Sequence, residues 1–387
     1  MKNRIYLDYN ATSQIKPQVI ERVAEVMAKV GNPSSVHDYG RGAKMVVEGA
    51  RAAIAKLVGV ASNAVIFTGC GTEANNMAIR TKQAASIVHS NIEHDSVFAA
   101  AKLSGKPVFI APVDENGIVD MQALDALLAK APKPALVSIM LANNETGVIQ
   151  PLKDISEIVK KHGGLFHSDC IQAAGKIFVE FADLGVDMIS LSAHKMGGPQ
   201  GVGALVVRPD MPITTLIVGG GQELGRRSGT ENVAGIAGFG LAAELAETDL
   251  PKFMALEQLR DQLEEKITNA APDAKIWSAG VSRLPNTLAV SMPGVSAETQ
   301  VMHMDLEGVA VSSGSACSSG KVKESHVLKA MSLKAMSLKA MGGDGCGTET
   351  IRISFGFESV ASDVDQVFAA WSGLYDRMKQ KDEREAN

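Results

Sequence analysis

"DMISLSAHKMGGPQGVGALVV", residues 187–207, sets two apolar runs of strand length on either side of a glycine-rich loop. The first run delivers Ser192, His194 and Lys195 into that loop, and the second starts a new strand. Short apolar runs bounded by glycine and proline are the pattern of strands buried on both faces. A lysine at the mouth of such a strand is costly, because its ammonium loses hydration. A covalent bond to an aldehyde removes that charge and gives the amine a chemical task. A lysine that carries its amine out to water along an apolar stem is the structural reading of the same stretch.

The same pattern recurs upstream. The runs "AVIFT", "SIVHS", "PVFIAPV", "ALVSIML" and "GLFHSD" alternate with helical stretches such as "EANNMAIRTKQAA", "MQALDALLAKA" and "PLKDISEIVKKHGG". This alternation predicts an α/β fold, a mostly parallel sheet covered by helices. Ahead of it, Val19, Ile20, Val23, Val26, Met27 and Val30 follow helical spacing until Gly31 and Pro33 stop the helix, and "GAKMVVEGARAAIAKLVG" predicts a second one. Beyond the charged helical stretch "MALEQLRDQLEEKITNAA" the strands thin out to "NTLAVSMPG" and "TIRISFG", and the amphipathic "SDVDQVFAAWSGLYDRMKQ" follows. The expected division is a large α/β domain at 15–260 and a smaller α+β domain made from 1–14 and 261–387.

Composition narrows the partners. With 38 basic and 43 acidic residues well mixed along the chain, no basic stripe points to nucleic acid and no polybasic patch to a membrane. A small-molecule substrate is the expectation. The start, "MKNRIYLDYNATS", is too polar for a signal peptide, and no run of about 18 apolar residues follows, so the cytoplasm is the expected location. Cys70, Cys170, Cys317 and Cys346 form no CxxC pair, which predicts neither a disulfide framework nor a zinc site.

Two further strand ends carry chemistry. In "VIFTGCGTEANNMAIR" a strand enters a glycine turn and then a helix, with Thr72 at the helix start, a place suited to phosphate. "GCGTEA" also fits a loose dinucleotide-type GxGxxA, and an ordinary tight turn. In "GGLFHSDCIQAAG" a strand ends on Asp169, with Gln172 three residues later. That carboxylate sits where open α/β sheets place ligands, and equally where a helix cap would sit. Cys170 beside it reads as core packing. Taken together, Lys195 for an aldehyde, Asp169 for a pyridine nitrogen and Thr72 for a phosphate point to pyridoxal 5'-phosphate.

The chain resembles the cysteine desulfurases of the nitrogen-fixation and iron-sulfur-assembly type, within the class V aminotransferases and the pyridoxal phosphate enzymes of fold type I. The resemblance rests on "YLDYNATS", "GNPSSVH", "TGCGTEANN", "EHDSV", "NNETG", "HSDCIQAAGK", "SAHKMGGPQGVG", "RRSGTEN", "SSGSACSSG" and "IRISFG", in that order. It implies that Lys195 holds the cofactor covalently, with Asp169 on the ring nitrogen, Gln172 on the ring hydroxyl and His94 stacked on the ring to move protons. Gly71, Thr72, Ser192 and His194, with Ala193 among them, would hold the phosphate end, joined by Thr230 from the partner subunit of a homodimer. Asn144 would touch both cofactor and substrate, and Arg352 would bind the substrate carboxylate.

Cys317, in "SSGSACSSG", would take sulfur from L-cysteine as a thiolate, leaving L-alanine and a persulfide, and pass the sulfur to an acceptor or iron-sulfur scaffold protein. A transient role as an iron-sulfur ligand is a further implication for Cys317. Selenocysteine lyase and class V aminotransferase activity are the neighbouring readings, separated by the need for Cys317, and a nucleotide-binding protein using "GCGTEA" is the distant one.

Several residues depart from the pattern or fall outside it. Cys70 stands where the family has serine or alanine and reads as packing, while Cys346 reads as exposed and incidental. His37 belongs to a motif expected near the active site. His89, His162, His167, His303 and His326 read as surface or satisfied core histidines. The repeat "LKAMSLKAMSLKAM" at 328–341 has a period of five, which suits neither helix nor strand, and is expected in a surface loop or helix end.

Overall fold

The computed structural model describes residues 4–314, 324–332 and 347–386, with side chains through 381. Cys317, Cys346 and the part of the five-residue repeat beyond Ser332 lie outside the described residues.

The chain opens with β1 (Ile5–Tyr6) and two helices, Pro17–Met27 and Asp38–Leu57. Seven strands then build the main sheet: β2 (Val65–Thr68), β3 (Ser86–Ser90), β4 (Val108–Ala111), β5 (Ala135–Ser138), β6 (Leu165–Asp169), β7 (Met188–Ser192) and β8 (Gly203–Val207). Their order is β2-β8-β7-β6-β5-β3-β4. All neighbours pair parallel except β8, which runs antiparallel to both β2 and β7. Because β8 reverses twice, β2 points the same way as β7, and the carboxyl ends of six strands share one edge.

Alternation along the strands sorts the core onto the two faces. Ile66, Ile87, Leu136, Met188 and Leu205 pack with Ala74, Met77 and Val97 from the helices Gly71–Ile79 and Asp95–Leu103. Their sequence neighbours Val65, Val88, Val137, Ile189 and Val206 pack on the other side with Ile54, Leu124, Ile155 and Phe239. Burying each such side chain stabilises the fold by roughly 1.5–3 kcal/mol, which fixes the register of every strand.

Helix Val233–Met254 was hidden from periodicity by its glycines. Gly240 shows why they are there: a Cβ on it would meet Ala50 Cα at 2.5 Å, so the helix crosses Asp38–Leu57 backbone to backbone. The first helix ends at Met27, short of the expected stop at Gly31.

A second layer follows. Strands β9 (Lys275–Ile276), β10 (Thr287–Ser291), β12 (Ser312–Ser313) and β13 (Thr350–Ser354) form an antiparallel sheet in the order β12-β13-β10-β9, and β11 (Val309–Ala310) pairs parallel with β1. Leu7, Leu288, Val290, Ile351, Ile353 and Trp371 make its core. On β13 the alternation turns Ile351 and Ile353 into that core and leaves Arg352 for the opposite face. An isolated bridge from Asp8 to Ser354 draws the segment after β1 alongside β13. The first copy of the repeat lies in helix His326–Ser332, where Leu328 and Met331 are buried, so it is a helix end packed on the core.

Candidate active site

A cavity of about 600 Å³ opens at the carboxyl ends of β2, β6 and β7, between the main sheet and β13. At its floor, β7 ends at Ser192 and a single turn, Ala193–Lys195, carries the lysine. The Lys195 ammonium donates to the carbonyls of Asn10 and Ala11, both at 2.6 Å, and its own carbonyl accepts from Ser13 Oγ at 2.9 Å. Ser192 and His194 line the cavity beside it, whereas Ala193 is fully buried behind the wall. Burial, with the charges of Lys195 and Lys176, pushes the His194 imidazole down to about 4, so it is neutral near pH 7.

At the end of β2, helix Gly71–Ile79 begins, and its first internal bond runs from Ala74 N to Cys70 O. The amides of Gly71 and Thr72 precede that bond, and both residues line the cavity, as do Ser192 and His194. A Cβ on Gly71 would meet Ile171 Cδ1 at 2.2 Å, so any larger residue at this helix start would have to displace the Ile171 side chain. Glu73 braces the turn, accepting from Gly69 N at 2.7 Å and from Arg227 Nε at 2.8 Å. Cys70 corrects its sequence reading: it is an exposed thiol on the cavity wall, because the N-cap position turns it away from the core.

Asp169, at the end of β6, accepts from Asn75 Nδ2 at 2.7 Å and from Ile171 N at 2.9 Å. Asn75 Nδ2 also donates to Ser96 Oγ at 2.9 Å, and Ser96 Oγ lies 2.8 Å from His94 Nδ1. Since Ser96 N donates to that same Nδ1 at 3.1 Å, the neutral ring carries its proton on Nε2. One amide on the first helix of the cavity therefore links the carboxylate to the histidine. Gln172 donates through Nε2 to Asn10 O at 2.8 Å.

Arg352 reaches the cavity from β13. Its Nη2 pairs with Asp8 Oδ1 at 2.6 Å and its Nη1 donates to Asn144 O at 3.0 Å, while its Nε is buried with no partner among the described residues. Asn144 and Glu145 line the wall beside it. The Glu145 carboxyl is buried, which raises its proton affinity, and it accepts from Ser325 Oγ at 2.5 Å.

His326 also departs from its sequence reading. Its Nε2 donates to Glu93 O at 2.9 Å and its ring meets Phe98 edge-on, yet it lines the cavity, because Ser325 and Glu145 fix the start of its helix there. His37 does not line the cavity in this chain; it caps helix Asp38–Leu57, accepting from Gly40 N. His89 and His167 are buried and hydrogen-bonded, and burial pushes His167 down to about 3. Thr230 is exposed and outside this chain's cavity. Among the described residues, no three His, Cys, Asp or Glu side chains gather as a metal site, and no described helix is long and apolar enough to cross a membrane.

Behind His94, Glu93 is wholly buried. Its Oε1 accepts from Ser90 Oγ and Met140 N, its Oε2 has no partner among the described residues, and burial pushes its carboxyl up to about 8. The folded protein thus keeps a proton that the unfolded chain releases above pH 4.5. Stability is expected to fall as pH rises from 4.5 towards 8, by at most about 1.4 kcal/mol per pH unit from this group, and to level off above 8. Glu93→Gln should lose that slope, measured as denaturant unfolding at pH 5, 6, 7 and 8. Parallel curves for the two proteins would show that Glu93 is ionised when folded.

The donor set fits pyridoxal phosphate. The helix start at Gly71 and Thr72, the Ser192 hydroxyl and the neutral His194 imidazole offer donors for a phosphate, and the Asp169 carboxylate, fixed by two hydrogen bonds, and the Lys195 amine line the same cavity. The family model for aminotransferase class-V matches residues 5–367. The chain is 43% identical over 342 residues to the cysteine desulfurase IscS of Dictyoglomus turgidum, covering 86% of each. It is 39% identical over 387 residues to a cysteine desulfurase of Cereibacter sphaeroides, covering 97% of each. Among solved structures it is similar to a NifS-like protein from Rickettsia africae, with a TM-score of 0.88, 37% identity, and coverage of 97% of this chain and 100% of that one. A likeness that runs nearly end to end and takes in every strand that feeds the cavity shows that this chain belongs to the class-V aminotransferase family and, within it, to the pyridoxal-phosphate-dependent cysteine desulfurases.

Proposed function

We propose that the chain takes sulfur from L-cysteine onto Cys317, releases L-alanine, and passes the sulfur to a protein acceptor, an iron-sulfur scaffold being the reading that the resemblance implies. What supports this most is one observation: Lys195 on the turn after β7, Asp169 at the end of β6 and Arg352 on β13 line a single cavity. Bound pyridoxal phosphate supplies an aldehyde for the substrate amine and a ring that accepts electron density.

This chain's residues supply the rest. Gly71, Thr72, Ser192 and His194 hold the phosphate, Asp169 keeps a proton on the ring nitrogen, and Gln172 donates to the ring oxygen. Arg352 and Asn144 hold the substrate carboxylate. With the cofactor bound, Lys195 would hold it and would be placed to move the proton at the substrate Cα, and His94, with its proton on Nε2, would serve as a second proton carrier beside the ring. The Cys317 thiolate attacks the substrate sulfur: an S–S bond forms, the Cβ–S bond breaks, and its electron pair ends in a C–H bond of alanine.

We assign the large domain to 15–260 and the small one to 1–14 and 261–387, place the protein in the cytoplasm, and read it as a homodimer in which Thr230 reaches the partner's phosphate. The exposed side chains of Met27, Val30 and Tyr39 support the dimer, since they line a surface groove with Glu231 and Asn232, next to Thr230. A transient iron-sulfur ligand role for Cys317 belongs to the same proposal. Mass measurement after L-cysteine should find one added sulfur on the peptide containing Cys317, and Cys317→Ser should lose both the added sulfur and alanine turnover. Undiminished alanine formation by Cys317→Ser would end the persulfide reading.

A further inference from the structure

Lys176 has no part in the roles above, yet it is 1% exposed, and burial, with the charges of Lys195 and Arg352, holds its proton affinity well below the usual lysine range. Its amine meets only amide oxygens: Asn10 Oδ1 at 2.8 Å and Gln172 Oε1 at 2.7 Å. Among the described residues no carboxylate pairs with it. Two neutral amides replace the lost hydration of an ammonium poorly, and an apolar side chain of similar volume would pack the same space at lower cost.

What the lysine provides is direction. Both partners of the amine are oxygens, so it donates to each, and Gln172 presents Oε1 to it and turns Nε2 the other way. That nitrogen has two hydrogens, of which one goes to Asn10 O. The other is left for the cavity that Gln172 lines. Asn10 is held by the same amine. Its Oδ1 accepts from Lys176 and from Asn286 Nδ2, its Nδ2 donates to Thr287 Oγ1 at 2.8 Å, and its carbonyl accepts from Lys195 at 2.6 Å. The lysine thus stands beneath both the residue that would face the ring oxygen and the carbonyl that holds Lys195.

We propose that Lys176 is a positioning residue that locks the Gln172 amide with its nitrogen towards the cofactor ring and anchors Asn10, whose carbonyl holds Lys195. This rests on the roles proposed for Gln172 and Lys195. The charged or titratable groups facing this region are Lys195, His194 and Arg352, the last paired with Asp8; the positive ones disfavour further protonation of their neighbours. A donor held to the ring oxygen favours release of the proton shared between Lys195 and the ring, so loss of Lys176 acts through loss of that donor's direction.

The test is a pH titration of the visible absorption of the bound cofactor in the holoenzyme. Lys176→Met is expected to move the midpoint upward by about one pH unit or more. Gln172→Ala should move it the same way, and the double variant should fall short of the sum of the two. Lys176→Gln is read identically, so the test stands if the methionine variant does not fold. A lower melting temperature with an unmoved midpoint would overturn the proposal. If borohydride reduction of the wild type placed the pyridoxyl label on a peptide without Lys195, both the proposal and the reading beneath it would fall; an unmoved midpoint with the label on Lys195 sinks the proposal alone.

Discussion

Lys195→Ala is expected to lower alanine formation from L-cysteine on the order of a thousandfold or more, while the protein folds and still takes up pyridoxal phosphate reversibly. The argument starts from position. The turn Ala193–Lys195 is built by β7 and held by Ser13, which bonds the carbonyls of both His194 and Lys195, so shortening the side chain leaves its backbone in place. The carbonyl of Ala11 loses its donor while that of Asn10 keeps Gln172 Nε2, and both residues line an open cavity, where water can replace an ammonium at a cost of about 1 kcal/mol. The phosphate end, with Gly71, Thr72, Ser192 and His194, stays complete. Fold and affinity for the cofactor are therefore separable from chemistry. Borohydride should fix label to the wild type and none to the variant, with melting temperatures within a few degrees. Normal alanine output from the variant would refute the role of Lys195.

How much of this was legible in the sequence depends on how local the signal is. The strands of the main sheet announced themselves, since a strand buried on both faces must be a short apolar run, and "AVIFT" and "GALVV" satisfy that without reference to anything else. Direction was not legible: nothing in "GALVV" distinguishes the antiparallel β8 from its parallel neighbours. Helix Val233–Met254 escaped because its glycines serve a close helix crossing, a tertiary cause that weakens a local pattern. The site divides in the same way. Asp169, Thr72 and Lys195 were found because each sits where a strand ends in a turn. Asn75, Ser96, Asp8, Asn10 and Lys176 were missed because each takes its meaning from at least one distant partner, as in the bonds from Asn75 to Ser96, 21 residues apart, and from Arg352 to Asp8, 344 apart. Cys70 was misread because small residues in glycine turns usually pack, and its exposure follows from a helix start that no periodicity marks.

Arg352→Gln is expected to raise KM for L-cysteine on the order of a hundredfold, with a smaller change in kcat. On β13 the guanidinium is 2% exposed as a residue, pinned by Asp8 on one nitrogen and by Asn144 O on another. Its buried Nε has no partner among the described residues, which leaves an unmet donor beside a cavity that is to receive a carboxylate. A planar fork suits that carboxylate better than a point charge does. Glutamine removes both the charge and the fork, and it also leaves Asp8 without its partner, so some loss of stability accompanies the loss of binding, bounded by about 3–5 kcal/mol for a fully buried pair. Asp8 is partly exposed, so the loss should fall below that bound. The two effects are told apart by Arg352→Lys, which keeps the charge near Asp8 and so most of the stability, yet loses the fork and should still raise KM on the order of tenfold. Steady-state kinetics and thermal melts of the three proteins settle the point. An unchanged KM in Arg352→Gln would mean that the substrate carboxylate is held elsewhere in the cavity, and that the pair with Asp8 serves only to tie β13 to the segment after β1.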